Sequence, residues 1–271
     1  MPTRRQFLFG CLGAVAAGAP VGWYGAVREP QDLEIVRRTI KIRNLPAKLD
    51  GMAAVQVSDL HITQINQIHW QMLAQIQALR PDLVFVTGDL VDERNVVADV
   101  ADLLAGYQAP RGTWAVPGNR EHSTDAVYEL SVALKMRKLG LLTNRATQVE
   151  DGFWVVGVDD PTGGFDDLRS ALDGVPDGAT RILLAHSPDI VARITNSPFD
   201  LVLVGHTHGG QVNLPLVNDA WLSDDMARRY RAGMYAVGGS QLYVNRGIGT
   251  FPLPIRIRAR PEVTHLTFHA A

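Results

Sequence analysis

Short apolar runs recur along this chain, and they end at polar residues of a narrow kind. Positions 53–57, 83–87, 113–116, 182–185 and 201–204 are rich in aliphatic and β-branched residues over four or five positions, the length and composition of buried strands. Asp59 and His61 follow the first run, Asp89 the second, Asn119 the third, His186 the fourth, and His206 and His208 the fifth. After each of the first three runs the apolar spacing turns helical, predicting helices near 66–80, 96–106 and 125–139, the first stopped by Pro81. An alternating segment at 33–42, interrupted by Asn44-Leu45-Pro46, predicts an earlier strand. Beyond Gly140 the pattern shifts to closely spaced strands near 153–158, 181–185, 201–204, 234–238, 241–245 and 255–269, with short helices between them. An α/β first half and a β-rich second half predict a four-layer α/β/β/α sandwich, two mixed sheets face to face with helices outside. Strand carboxyl ends in open α/β sheets line one crevice, so the scattered polar residues can converge there. The stretch 214–233, with Asp224, Asp225, Arg228, Arg229 and Arg231, predicts a long excursion over that crevice.

Composition narrows the picture. With 271 residues and 46% hydrophobic content the chain can bury a full core as one large domain. The formal charge is 26 − 28 = −2 with no long block of one sign, so the electrostatic footprint of a nucleic-acid binder is missing. The only cysteine is Cys11, which leaves the body of the chain without disulfide, thiolate nucleophile or thiolate ligand. Any metal must then sit on histidine, carboxylate and amide, donors that suit Mn²⁺, Fe or Zn²⁺.

The amino terminus has its own pattern. Thr3-Arg4-Arg5-Gln6-Phe7-Leu8 leads into an uncharged stretch, 7–27, that ends at Arg28. This resembles a bacterial twin-arginine leader, which implies export of the folded protein by the twin-arginine machinery and divides the chain into a leader, 1–27, and a domain, 28–271. Ala17-Gly18-Ala19 has the small-x-small form of a cleavage site, but Pro20 stands directly behind it. The alternative is an uncleaved anchor, since the apolar stretch is close to the roughly 20 residues that span a bilayer. Either way the expected place is the periplasm or cell envelope, or the outer face of the cytoplasmic membrane.

The candidate ligands are weak evidence singly. Asp59 and His61, two apart, share a face if their segment is extended, while Gly88-Asp89 and Gly118-Asn119 are ordinary turn sequences. His206-Thr207-His208 is stronger, because the glycines after it let the backbone approach an ion. The ordered set is distinctive: Asp-x-His, Gly-Asp, Gly-Asn, a strand-end His and Gly-His-Thr-His. It resembles the calcineurin-like metallophosphoesterase family over about 53–211 and more loosely to the end of the chain. The resemblance implies two divalent metal ions, one held by Asp59, His61 and His208 and the other by Asn119, His186 and His206, with Asp89 bridging. Such a pair, roughly 3.5–4 Å apart, leaves room for a shared hydroxide and a phosphoryl group, and needs no protein nucleophile. Pro117-Gly118-Asn119, Leu184-Ala185-His186-Ser187-Pro188-Asp189 and Tyr243-Val244-Asn245-Arg246-Gly247-Ile248-Gly249-Thr250 are similar to the exported or membrane-anchored bacterial branch.

One position departs from the family. Most members carry a histidine after Gly-Asn, the proton donor to the leaving group, and here Arg120 stands there, followed by Glu121 and His122. Arginine stays charged and cannot act as general acid, though its fork can bind phosphoryl oxygens. Either His122 donates the proton, or the leaving group departs unprotonated, as a phosphate does from a pyrophosphate. The expected activity is hydrolysis of a phosphodiester or pyrophosphate in a small-molecule or lipid-linked substrate. Gly-Asn-Arg-acid also resembles UDP-2,3-diacylglucosamine diphosphatases, and the alternative of another class is a silent metal or phospholigand binder. Asp92 is expected to hold its loop, Ser187 to cap a turn, His69 to pack or face solvent, Asn144 to serve a loop near the site, and Arg246 to form a turn or touch substrate.

Overall fold

A computed structural model describes residues 22–194, 199–214 and 225–271. The expected leader lies mostly outside the described residues, and so do positions 215–224 of the expected excursion. The strands are β1 Glu34–Ile42, β2 Ala53–Val57, β3 Leu83–Thr87, β4 Thr113–Val116, β5 Gly140–Leu141, β6 Arg145–Glu150, β7 Phe153–Gly157, β8 Thr180–Leu184, β9 Leu201–Val204, β10 Gly233–Val237, β11 Ser240–Val244 and β12 Glu262–Ala270. They form two six-stranded sheets, in the orders β1-β12-β2-β3-β4-β5 and β10-β11-β9-β8-β7-β6. The interior strands β2, β3 and β4 run parallel, as do β7, β8, β9 and β11, whereas β12 is antiparallel to β2 and β6 to β7.

Alternation along the strands builds the layers. In β3, Val84 and Val86 join the outer core under the helices, while Leu83 and Phe85 join the core between the sheets. In β9, Leu201 and Leu203 face inward and Val202 and Val204 face the opposite outer layer. Both faces of these strands are buried, which explains their near-continuous apolar composition. The fold is therefore the α/β sandwich of two mixed sheets flanked by helices that the apolar pattern predicts.

The helices over the first sheet are α1 Gln67–Leu79, α2 Val97–Ala105, α3 Asn119–Ser123 and α4 Val127–Met136. Helix α1 begins where the Asn66 side chain accepts from the Ile68 amide, and the His69 ring accepts from the Asn66 amide at 3.1 Å. It ends at Arg80, which turns left-handed ahead of Pro81. Its buried stripe of Ile68, Met72, Leu73 and Ile76 faces the sheet, each side chain contributing about 1.5–3 kcal/mol on burial. His69, buried, is thus a capping residue.

Three local details differ from the expected pattern. The segment expected as a strand over 255–269 becomes one only at Glu262; residues 251–261 run irregularly behind a cis Phe251-Pro252 bond. Strand β6 escapes the apolar pattern because it is a sheet edge whose residues are half-buried or exposed. The helix expected near 125–139 is shorter and is preceded by the separate turn of α3. Among the described residues no helix is long and apolar enough to cross a membrane.

Candidate metal centre

The candidate ligands stand just past the carboxyl ends of β2, β3, β4, β8 and β9, and the structure brings their side chains together. Ligand atoms of Asp59, His61 and His208 lie within 4.8 Å of one another, and so do those of Asp59, Asp89 and His186. Asp89 sits between the groups, with Oδ2 at 3.5 Å from His61 Nε2 and Oδ1 at 3.4 Å from His186 Nε2. Asn119 Oδ1 and His206 Nδ1 each approach His186 Nε2 to 3.1 Å. The carboxylate of Asp59 reaches both groups, a sharing the residue order does not predict.

The backbone explains how such scattered residues aim inward. Asp59, His61, Asp89, His206 and His208 all adopt positive φ, between 47° and 69°. For residues with a Cβ this left-handed conformation costs roughly 1–2 kcal/mol each, and such strain collects at functional sites. Contrary to expectation, Asp59 and His61 therefore do not share the face of an extended segment: each turns sharply after the strand, and tertiary contacts hold them there. The His206 amide donates to both carboxylate oxygens of Asp59, at 3.0 and 3.1 Å. Two glycines leave room for the ligands, since a methyl group on Gly88 would collide with the His186 ring and one on Gly118 with the Asp89 carboxylate.

Outer hydrogen bonds set which ring nitrogens face inward. His186 Nδ1 donates to the Thr87 carbonyl at 2.9 Å, and His61 Nδ1 donates to Asp92 Oδ1 at 2.9 Å, so both rings present Nε2 to the centre. There, His61 Nε2 and His208 Nε2 face each other at 3.0 Å. Burial raises the Asp59 carboxyl, whereas for Asp89 the charge and hydrogen bond of His186 overcome burial and hold the carboxyl well below the usual range. Burial would lower His186, but the charge and hydrogen bond of Asp89, with the charge of Asp59, outweigh it and leave the imidazole pushed up to about 10. Burial and the neighbouring His61 charge push His208 well down. Four imidazole rings and two buried carboxylates converge here, and each proton shared between facing nitrogens occupies a place where a cation can bind. This donor set fits divalent metal.

Asp92 does more than hold its loop. Its Oδ1 accepts from His61 and also from Arg120 Nε at 2.7 Å, so one carboxylate oxygen orients both a candidate ligand and the arginine. The Arg120 guanidinium lies 4.5 Å from the centroid of Phe251, whose ring stacks on His61 at 5.2 Å. Arg120, His61 and Asp92 line a cavity of about 530 Å³. His122 goes elsewhere. It lines a different cavity, of about 370 Å³, with Nε2 at 2.6 Å from Asp159 Oδ1 and its ring stacked on Phe165. Asn144 orders that region by accepting from the amides of Asp159 and Asp167. Ser187 caps a turn by accepting from the Asp189 amide. Arg246 is engaged by Glu262 and Glu34, and its stem packs against Gly209.

Two supporting residues escape a reading of the sequence. The fully buried Glu121 accepts from the amides of Asp89, Leu90, Val91 and Gly118, locking the Asp89 turn to the start of α3, and burial pushes its carboxyl up to about 7. Its place three residues after Gly118 is a capping signal that could have revealed it. Arg256, also fully buried, donates to the carbonyls of Gly249, Arg246 and Ala259 and lies 3.5 Å from His208 Nδ1. It sits in the irregular 251–261 segment, where no periodicity points to it.

Comparison with known proteins agrees with this geometry. Residues 52–210 match the model of the calcineurin-like phosphoesterase family. The chain is 34% identical to the uncharacterized metallophosphoesterase YkuE of Bacillus subtilis (strain 168), over 98% of this chain and 97% of that protein. It is 30% identical to the phosphodiesterase YaeI of Escherichia coli (strain K12), over 98% and 99% of the two chains. It is 25% identical to the UDP-2,3-diacylglucosamine pyrophosphatase LpxG of Chlamydia muridarum (strain MoPn / Nigg), over 93% and 94%. The crystal structure of TT1561 of Thermus thermophilus shares the fold with a TM-score of 0.51 at 14% identity, covering 73% of this chain and 90% of that one. Converging donors, family model and full-length relatives lead to one conclusion: this chain belongs to the calcineurin-like phosphoesterase family and is a metal-dependent phosphoester hydrolase.

Proposed function

We propose that the chain hydrolyses a phosphodiester or pyrophosphate whose leaving group needs no proton from the protein, and that it does so outside the cytoplasm or at the membrane face. The observation that carries this reading is the placement of Arg120, pinned by Asp92 and Phe251 beside His61. Asp59, His61 and His208 would hold one divalent metal and Asn119, His186 and His206 a second, with Asp89 between them; Mn²⁺, Fe and Zn²⁺ all suit these donors. Metal bound there supplies positive charge for the phosphoryl oxygens and lowers the pKa of a ligated water. Arg120 adds a fixed guanidinium to bind phosphoryl oxygens and stabilise their charge in the transition state. Its amide donates to Asp89 Oδ1 at 2.8 Å, which ties the arginine backbone to the carboxylate between the metal positions. His122, held by Asp159 on another cavity, is not needed as a proton donor in this scheme.

The name of the Chlamydia relative supports a nucleotide-sugar diphosphate carrying acyl chains as the particular substrate, and that of the Escherichia coli relative a simpler diester. The twin-arginine pattern of the leader supports export or anchoring. The test is a panel of UDP-2,3-diacylglucosamine, lipid-linked diphosphates, bis(p-nitrophenyl) phosphate and a monoester, run on metal-loaded wild type, Arg120→Ala and His122→Ala. Diphosphates should lose more kcat with Arg120→Ala than with His122→Ala. Preference for the monoester would end the acidic-leaving-group argument, and bound metal with no turnover of any ester would leave a ligand-binding protein.

A further inference from the structure

Two uncharged segments lie at the rim of the Arg120 cavity, and of them the hydrolytic scheme uses only Phe251. Residues 22–27, Gly-Trp-Tyr-Gly-Ala-Val, and 247–255, Gly-Ile-Gly-Thr-Phe-Pro-Leu-Pro-Ile, contain no Asp, Glu, Lys, Arg or His. The first meets the chain directly behind the second, where the Arg256 amide donates to the Gly25 carbonyl at 2.8 Å and a methyl group on Gly25 would lie 2.6 Å from Ile257 Cγ1, and Ala26 and Phe251 line one cavity. Trp23 is 62% exposed, Val27 53% and Leu253 52%. With Tyr24 and Phe251 these make five of the eleven exposed large apolar side chains among the described residues. Single exposed apolar residues are normal, but a concentration on two segments that border one cavity marks an interaction surface.

The chemistry of this surface selects its occupant. Tryptophan and tyrosine favour the headgroup level of a bilayer. Arg28 directly follows the first segment and Arg258 lies three residues beyond the second, both exposed, and such cations draw a surface toward anionic lipid. The uncharged sequence also continues upstream from residue 21 back to Phe7. Ala26, Phe251, Pro252 and Pro254 line the same cavity as His61 and Arg120, so whatever covers the surface also covers the cavity mouth. We propose that segments 22–27 and 247–255 form a docking face for an anionic phospholipid bilayer, turning the Arg120 cavity toward the lipid headgroups. The inference rests on the hydrolytic reading above only for the use made of that cavity.

The test places an environment-sensitive fluorophore at residue 253 of the full metal-loaded chain, through Leu253→Cys in a Cys11→Ser background. Vesicles of phosphatidylglycerol and phosphatidylethanolamine should shift its emission to the blue. Vesicles of phosphatidylcholine alone should do so several-fold less, and adding Val27→Asp should suppress the shift while bis(p-nitrophenyl) phosphate is still hydrolysed at the parent rate. A probe that stays in water while the protein floats with the vesicles overturns the proposal, because attachment then runs through the upstream segment alone. A blue shift that follows protein concentration without lipid overturns it in favour of self-association. If the lipid-dependent shift is present and no ester is cleaved, the docking face stands and the hydrolytic reading falls.

Discussion

Two groups of buried polar side chains in this molecule are built on opposite plans. Around Glu262 every donor meets an acceptor: the Tyr243 hydroxyl and Thr264 Oγ1 donate to its carboxylate, Arg246 Nε donates at 2.5 Å, and the same arginine reaches Glu34 at 2.7 Å. Burial and the adjacent carboxylate push the Tyr243 phenol up, so it remains a donor. At the metal centre ring nitrogen faces ring nitrogen instead, at 3.0 Å and 3.1 Å, with carboxylate oxygens 3.4–3.6 Å away. The first cluster gathers fixed donors on one carboxylate and serves the fold. The second turns the lone-pair atoms of several ligand-type side chains toward one place, where a cation can replace the shared protons. Burial and charge are common to both; what separates support from site is whether exchangeable lone-pair atoms converge.

Three experiments can break or sharpen that contrast. Asp89→Asn removes the carboxylate between the two ligand groups, and turnover should fall by roughly 10²–10³-fold or more, at least the cost of losing one group that stabilises transition-state charge. Elemental analysis should show metal lost while the thermal transition survives; unchanged metal and rate would mean the facing nitrogens are no metal centre. Glu262→Gln strips the other cluster of its anion. Its cost should appear in urea unfolding, about 3 kcal/mol for breaking a buried pair, with kcat per folded molecule unchanged; a lost rate at full stability would erase the distinction. Asp92→Asn probes the border between the two plans, since that carboxylate is itself satisfied yet orients His61 and Arg120. A loss of about 10–100-fold in metal affinity or activity is expected, as for other outer partners of ligating histidines. Metal competition titration and kcat measure it, and a variant equal to wild type would show that Asp92 serves only its loop.

Legibility from sequence followed burial and regularity. The strands buried on both faces, such as β3 and β9, announce themselves as apolar runs, and the polar residues behind them stand out by contrast. Edge strand β6 carries no such signal, and the start of the strand expected over 255–269 is displaced to Glu262 because 255–261 is held by contacts distant in sequence. Arg256 is buried there behind His208, and Phe251 just ahead of it stacks on His61. Glu121 is visible in the sequence only as a letter in a motif, although four backbone amides depend on it.

By itself the sequence determined the layered α/β architecture and the identity of the donors, because the period of apolar residues dictates which face is buried and because only certain side chains bind a divalent metal. Tertiary structure decided how those donors point. The left-handed turns at Asp59, His61, Asp89, His206 and His208 are unfavourable locally and persist through contacts distant in sequence, such as His206 to Asp59 across the two sheets and Asp89 to Glu121. It also decided that Arg120 and His122, two residues apart, serve different cavities, because one turn of helix aims them at different neighbours, Asp92 and Asp159.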